Sequence, residues 1–139
     1  MERSLLDTCT ISDTIRPPAK RLPSVTRHLG KYLHQHGRLL FSEMSCYEVL
    51  RGLRKKGAAT QEQQFIEFCR RAELYAVDYA VLDRAAALWA DGQRRGIAVD
   101  DVDLVIAVTA LLRGLSLATP NTRHFEWIDG LRLLDWREA

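Results

Sequence analysis

The chain has 139 residues, 47% of them hydrophobic, with 20 Lys and Arg against 18 Asp and Glu and a net charge of +2. That length and apolar fraction suit one compact domain over residues 1–139 and exclude a low-complexity chain, and no apolar run approaches the roughly 20 residues of a membrane-spanning helix. Cys9, Cys46 and Cys69 are widely spaced, with no CxxC pair, which excludes a disulfide framework and a zinc site.

Met1 to Asp7 lacks the apolar core of a signal peptide, so the chain is expected in the cytoplasm. The near balance of charge leaves the partner open. Basic residues nevertheless gather at Arg51, Arg54, Lys55 and Lys56, at Arg70 and Arg71, and at Arg94 and Arg95, while acids recur beside apolar runs. A negative pocket inside a basic rim suits a polyanion, although solvated helix faces would show the same clusters.

In chain order, Ser4-Leu5-Leu6 predicts a short strand ending in Asp7 and Thr8. In an α/β protein the carboxyl ends of parallel strands form the ligand site, so an acid there is well placed; a strand that merely turns can also end in Asp-Thr. A short helix from Cys9 to Arg16 is stopped by Pro17 and Pro18. Val25, Leu29, Tyr32 and Leu33 fall at helical spacing up to Gly37, and His28, His34 and His36 on this segment read as polar-face residues.

Arg38 to Phe41 predicts a second strand, and Ser42 the cap of a helix through Lys56. On that helix Glu43 and Glu48 are separated by about 140° around the axis, so at most one faces the core. Met44, Tyr47 and Leu50 flank Glu48, which makes it the inward acid and Glu43 a first-turn dipole partner. The competing reading of Glu48 is a surface ion pair with Arg51 or Arg54. Thr60 to Arg71 is an amphipathic helix, Leu74 to Val77 a third strand, and Asp78 to about Gly92 a longer helix whose Val81, Leu82, Ala85, Ala86, Leu88 and Trp89 read as scaffold.

Val99 to Ala110 opens with Asp100, Asp101 and Asp103 and continues as a run of small and β-branched apolar residues. As a buried helix it uses its first acids to cap free N–H groups and complement the macrodipole. Capping accounts for Asp100 or Asp101. Asp103 shares the side of Ile106, Ala107 and Ala110, and an inward carboxylate points to a metal ligand. Gly114 to Thr119 is a fourth strand, followed by Asn121, Thr122, Arg123 and His124 in a loop, and Leu131 to Trp136 is a last strand. His124 invites a general-base role, yet a lone His beside Phe125 is more often a surface or packing residue. Alternating strands and helices argue a parallel sheet covered on both faces.

Asp7, Glu48 and Asp103 are thus each placed to reach one site, and three carboxylates in a small volume need divalent cations. Mg²⁺ or Mn²⁺ suits oxygen ligands, whereas zinc would want His or Cys. Such an ion activates a water and neutralises charge on a phosphodiester undergoing hydrolysis. A phosphatase with an aspartyl nucleophile would want a second Asp two residues after Asp7, where Cys9 stands.

The ordered series Leu5-Leu6-Asp7-Thr8, Tyr47-Glu48-Val49-Leu50, Asp103-Leu104-Val105-Ile106-Ala107, Leu117-Ala118-Thr119 with Asn121-Thr122-Arg123-His124-Phe125, and Gly130-Leu131 with Trp136 resembles the PIN-domain toxins of the VapC family. The resemblance implies a three-layer α/β/α fold with a central parallel sheet of four or five strands. It implies a Mg²⁺-dependent endoribonuclease, the toxin of a type II toxin–antitoxin pair, silenced by a VapB-type antitoxin and paired as a homodimer. Asp7, Glu48 and Asp103 match the family's acidic triad, with Asp7 and Asp103 as metal ligands and Glu48 acting partly through water. Thr8, Asp101 and Asn121 fall at supporting positions. Cys9 stands where members usually carry Asn, and Pro120 where a polar or basic residue is common. The competing reading is a PIN-like module that binds antitoxin or RNA with little nuclease activity.

Overall fold

The computed structural model describes all of residues 1–139. Five parallel strands, β1 (Ser4–Leu6), β2 (Leu40–Ser42), β3 (Glu73–Tyr75), β4 (Ser116–Ala118) and β5 (Leu133–Leu134), form one sheet in the order β3-β2-β1-β4-β5. Six helices cover it: α1 (Thr8–Ile15), α2 (Pro23–His36), α3 (Glu43–Lys56), α4 (Ala59–Arg70), α5 (Tyr79–Arg94) and α6 (Asp101–Leu112). The expected three-layer α/β/α architecture is therefore present.

Strand alternation decides which layer each side chain joins. Leu5 is in register with Leu40 and with Leu117, and all three are buried with Val81 and Ala85 of α5 and the apolar run of α6. Their neighbours Leu6, Phe41 and Ala118 point to the opposite face, where they meet Ile11 of α1, Val25 and Tyr32 of α2, Phe65 of α4 and Trp136. Each fully buried leucine contributes roughly 1.5–3 kcal/mol. On the central strand polar groups are matched as well: Ser4 and Ser116 hydroxyls lie 2.7 Å apart, and the Tyr32 hydroxyl accepts from the Ser4 N–H at 3.2 Å.

Local signals set the helix ends. Arg16, ahead of Pro17, is extended and closes α1. Gly37 follows α2 at φ 78°, and its N–H donates to the Leu33 carbonyl. Ser42, Asp78 and Asp100 cap α3, α5 and α6 with their side-chain oxygens. One expectation is corrected on α5. Leu82 and Trp89 are 49% and 44% exposed and lie outside the core, because only Val81, Ala85 and Gly92 of that helix are buried. No helix is long and apolar enough to cross a membrane.

Candidate active site

Parallel pairing puts the carboxyl ends of the strands on one edge of the sheet, and the chain reverses its winding between β1 and β4. Open α/β sheets hold ligands in the crevice at such a reversal. Asp7 is the first residue after β1, and Thr119 the first after β4.

Asp7 is only 3% exposed. Its carboxylate accepts from the Thr10 N–H at 2.8 Å and so caps α1. Burial pushes this carboxyl up, while the Thr119 hydroxyl and the Thr10 N–H and hydroxyl favour its ionised form. The neighbouring Thr8 Oγ1 is buried without a hydrogen-bond partner. A buried hydroxyl left unpaired next in sequence to a buried carboxylate is an unsatisfied oxygen that calls for an explanation.

Asp100 and Asp103 reach the site from α6. Asp100 accepts from the Asp103 N–H at 3.0 Å, which caps the helix. The Asp103 carboxyl is pushed up to about 6, first by burial and then by the charges of Asp100, Glu48 and Asp7, with His124 pulling it down. Asp100, Glu48 and Asp7 therefore all lie close enough for their charges to act on Asp103. Asp101 is exposed and does not line the cavity described below; on a helix it points about 100° away from Asp100.

Glu48 comes from α3 and satisfies both readings of its sequence context. Its carboxylate lines the cavity and is also 3.5 Å from Arg51 one turn along the helix. Arg51 is held over the Tyr47 ring, 5.0 Å from its centroid, and donates to the Tyr47 hydroxyl. Glu43 faces a separate groove with Cys46, Tyr47 and Leu50, so Tyr47 and Leu50 line the Glu43 side of α3 and not, as expected, the side of Glu48.

The cavity itself has a volume of about 830 Å³. Glu48, Asp100 and Asp103 form its acidic end, and Cys9, Asn121, Arg123 and His124 its polar flank. Asn121 donates its backbone N–H to the Thr119 hydroxyl at 3.0 Å, which fixes the loop after β4, and its side-chain amide lies 3.8 Å from the Cys9 sulfur. Ile97, Val99, Leu104, Phe125, Trp127 and Ile128 supply the remaining wall. Asp100 and Trp127 were not singled out for the site by the sequence. Asp100 reads locally as a cap and nothing more, and Trp127 stands in a loop with no motif around it to mark it.

No three acidic, His or Cys side chains converge tightly enough to ligate one ion together. Mg²⁺ does not require that, because it dehydrates reluctantly and is commonly held by one or two carboxylates with several waters. The all-oxygen acids, the raised Asp103 carboxyl and the unpaired Thr8 hydroxyl fit such a hydrated hard cation.

The family model described as "PIN domain" matches residues 4–131. The chain is 31% identical over 137 residues to the tRNA(fMet)-specific endonuclease VapC of Shigella flexneri, covering 98% of this chain and 99% of that protein. It is 30% identical to ribonuclease VapC1 of Methanocaldococcus jannaschii over 105 residues, 74% of this chain and 75% of that one. Among solved structures, the DNA-bound VapBC complex from Salmonella typhimurium superposes with a TM-score of 0.79 at 27% identity, covering 98% of this chain and 99% of that chain.

Proposed function

Because the chain belongs to the PIN domain family, we propose that it is the toxin of a VapC-type toxin–antitoxin pair, an endoribonuclease that hydrolyses RNA phosphodiester bonds with Mg²⁺, or Mn²⁺ in its place. The observation that carries this reading is the gathering of Glu48, Asp100 and Asp103 in one open cavity, with the buried Asp7 near enough for its charge to act on Asp103. Relatives along nearly the full length of the chain are named as endonucleases and ribonucleases, which supports the same chemistry.

In this reading Asp7 and Asp103 hold the cation, with the Thr8 hydroxyl beside Asp7. A divalent cation bound there supplies charge to a phosphate and lowers the cost of ionising a water. Glu48 acts through water, orienting the nucleophile and accepting its proton, with the Arg51 guanidinium 3.5 Å from its carboxylate. Hydrogen bonds from Thr10 and Thr119 partly offset the burial that raises the Asp7 carboxyl. Asn121 orients substrate from the loop after β4, and Asp101 adds negative potential from the surface without touching the cavity.

The partner is a VapB-type antitoxin whose tail covers the cavity and presents a basic side chain to the acids, and the toxin acts in the cytoplasm as a homodimer. The solved relative in complex with its VapB supports a partner of that kind. The decisive experiment compares RNA cleavage by purified, antitoxin-free protein with Mg²⁺, with Mn²⁺ and with chelator. Cleavage is expected only with a cation, and Asp7→Asn is expected to reduce it at least about a hundredfold. Equal behaviour of wild type and Asp7→Asn under all three conditions would instead establish a binding module without nuclease chemistry.

A further inference from the structure

The cavity has an apolar lining besides its acids. Ile97 and Val99, on the segment between α5 and α6, contribute to it, as does Trp127 beyond the β4 loop. The indole is fixed rather than loose. Its Nε1–H donates to the His124 carbonyl at 3.0 Å, and its benzo edge closes on Gly92 of α5 so tightly that a Cβ there would stand 3.4 Å from the ring and 3.2 Å from Val99. Gly92 is buried for this reason, and the Arg95 guanidinium lies 6.0 Å from the ring centroid.

Resting on the ribonuclease reading, we propose that Trp127 is a specificity-determining residue: its indole, walled by Ile97 and Val99, is the platform on which one nucleobase next to the scissile phosphate stacks. A phosphate at the acidic end places the neighbouring base within the same cavity, and every base has an aromatic face that an indole can take. Arg123 lines the same cavity and Arg95 flanks the ring, so positive charge is available to the phosphates on either side. Preorganisation strengthens the site, because an indole already tied at Nε1 and at its benzo edge loses little freedom when a base lands on it.

The test separates this platform from the nuclease reading. Nucleosides carry a base and a sugar but no phosphate, so their binding does not depend on a cation. Titrating adenosine, guanosine, cytidine and uridine into the full chain, while following the Trp127 indole N–H by NMR, is expected to give a saturable shift with at least one of them. Trp127→Phe retains that binding; Trp127→Leu abolishes it. Gly92→Ala, which presses on the ring from α5 without entering the cavity, weakens it. In cleavage of a short single-stranded RNA, Trp127→Leu raises KM about tenfold with kcat nearly unchanged and relaxes the choice of cut site.

Absence of a shift with all four nucleosides overturns the platform. So does a folded Trp127→Leu protein with wild-type KM and cut sites. Loss of antitoxin inhibition in Trp127→Leu, with cleavage unchanged, also overturns it, by assigning the wall to an apolar side chain of the partner. If the wild-type protein cleaves no RNA at all, the nuclease reading fails while the nucleoside titration still decides whether a base binds here.

Discussion

Asp103 shows how one residue serves a site at a cost to the fold. Its carboxyl sits at about 6 in the folded chain against 3.8 ordinarily, because burial and three like charges disfavour ionisation. A raised carboxyl stabilises the fold when protonated, so its contribution is complete below about pH 4 and is lost as the pH rises through about 6. Asp103→Asn keeps the neutral form at every pH. In chelator, thermal denaturation is therefore expected to show Asp103→Asn melting higher than wild type at pH 7.5, with the gain shrinking towards pH 4.5. A gain that does not depend on pH would mean that charge crowding is not its cause. The same substitution removes a proposed cation ligand, so added Mg²⁺ is expected to raise the Tm of wild type more than that of the variant.

At the scale of elements, the first turn of α6 serves two purposes through one residue. Asp100 caps the helix by accepting from the Asp103 N–H, and its charge helps to raise Asp103. Substitution separates them. Asp100→Ala loses both and is expected to cost about 1 kcal/mol, whereas Asp100→Ser keeps a capping oxygen and removes only the charge. Denaturant unfolding is expected to place Asp100→Ser near wild type and Asp100→Ala below it. A carboxyl NMR titration is expected to move Asp103 downwards in both, and an unmoved Asp103 would show that the cap alone matters. The α3 helix divides its faces similarly: Ser45 is buried, Glu48 faces the cavity, and Glu43 faces a separate groove with Cys46. Cys46 and Cys69 meet at 3.6 Å between α3 and α4 as free thiols.

At the scale of the whole molecule, α5 presents Tyr79, Leu82 and Trp89, exposed to 81%, 49% and 44%, as an apolar stripe beside its buried face. The homodimer proposed above is expected to pair through helices early in the chain, and these exposed apolar side chains offer α5 as the competing face to test. Sedimentation is expected to show wild type as a dimer, and the pair Leu82→Glu with Trp89→Glu as a folded monomer if α5 is that face; a dimer that survives the pair places the interface elsewhere. The carboxyl-terminal tail is secured separately. Arg137 donates to both carboxylate oxygens of Asp13, at 2.7 and 3.2 Å, and so ties the end of the chain to α1. Arg137→Ala leaves the mostly buried Asp13 carboxylate without that partner and is expected to cost about 1–3 kcal/mol in chemical denaturation.

What the sequence determined by itself was what depends on neighbours along the chain. The alternation of strands and helices, Ser42 as a cap, an acid at 100 or 101 as the cap of α6, Pro17 and Gly37 as stops, and the ordered acids were all legible, because each rests on contacts within a few residues or on a series whose order survives in one dimension. Only the tertiary structure decided that Glu48 faces the cavity while paired with Arg51, that Asp100 rather than Asp101 lines it, that Leu82 and Trp89 stay outside the core, and that Trp127 closes on Gly92. A helical period states which residues share a face; what that face meets is set by the packing of α3, α5, α6 and the β4 loop against one sheet edge, a sum over contacts between residues far apart in the chain.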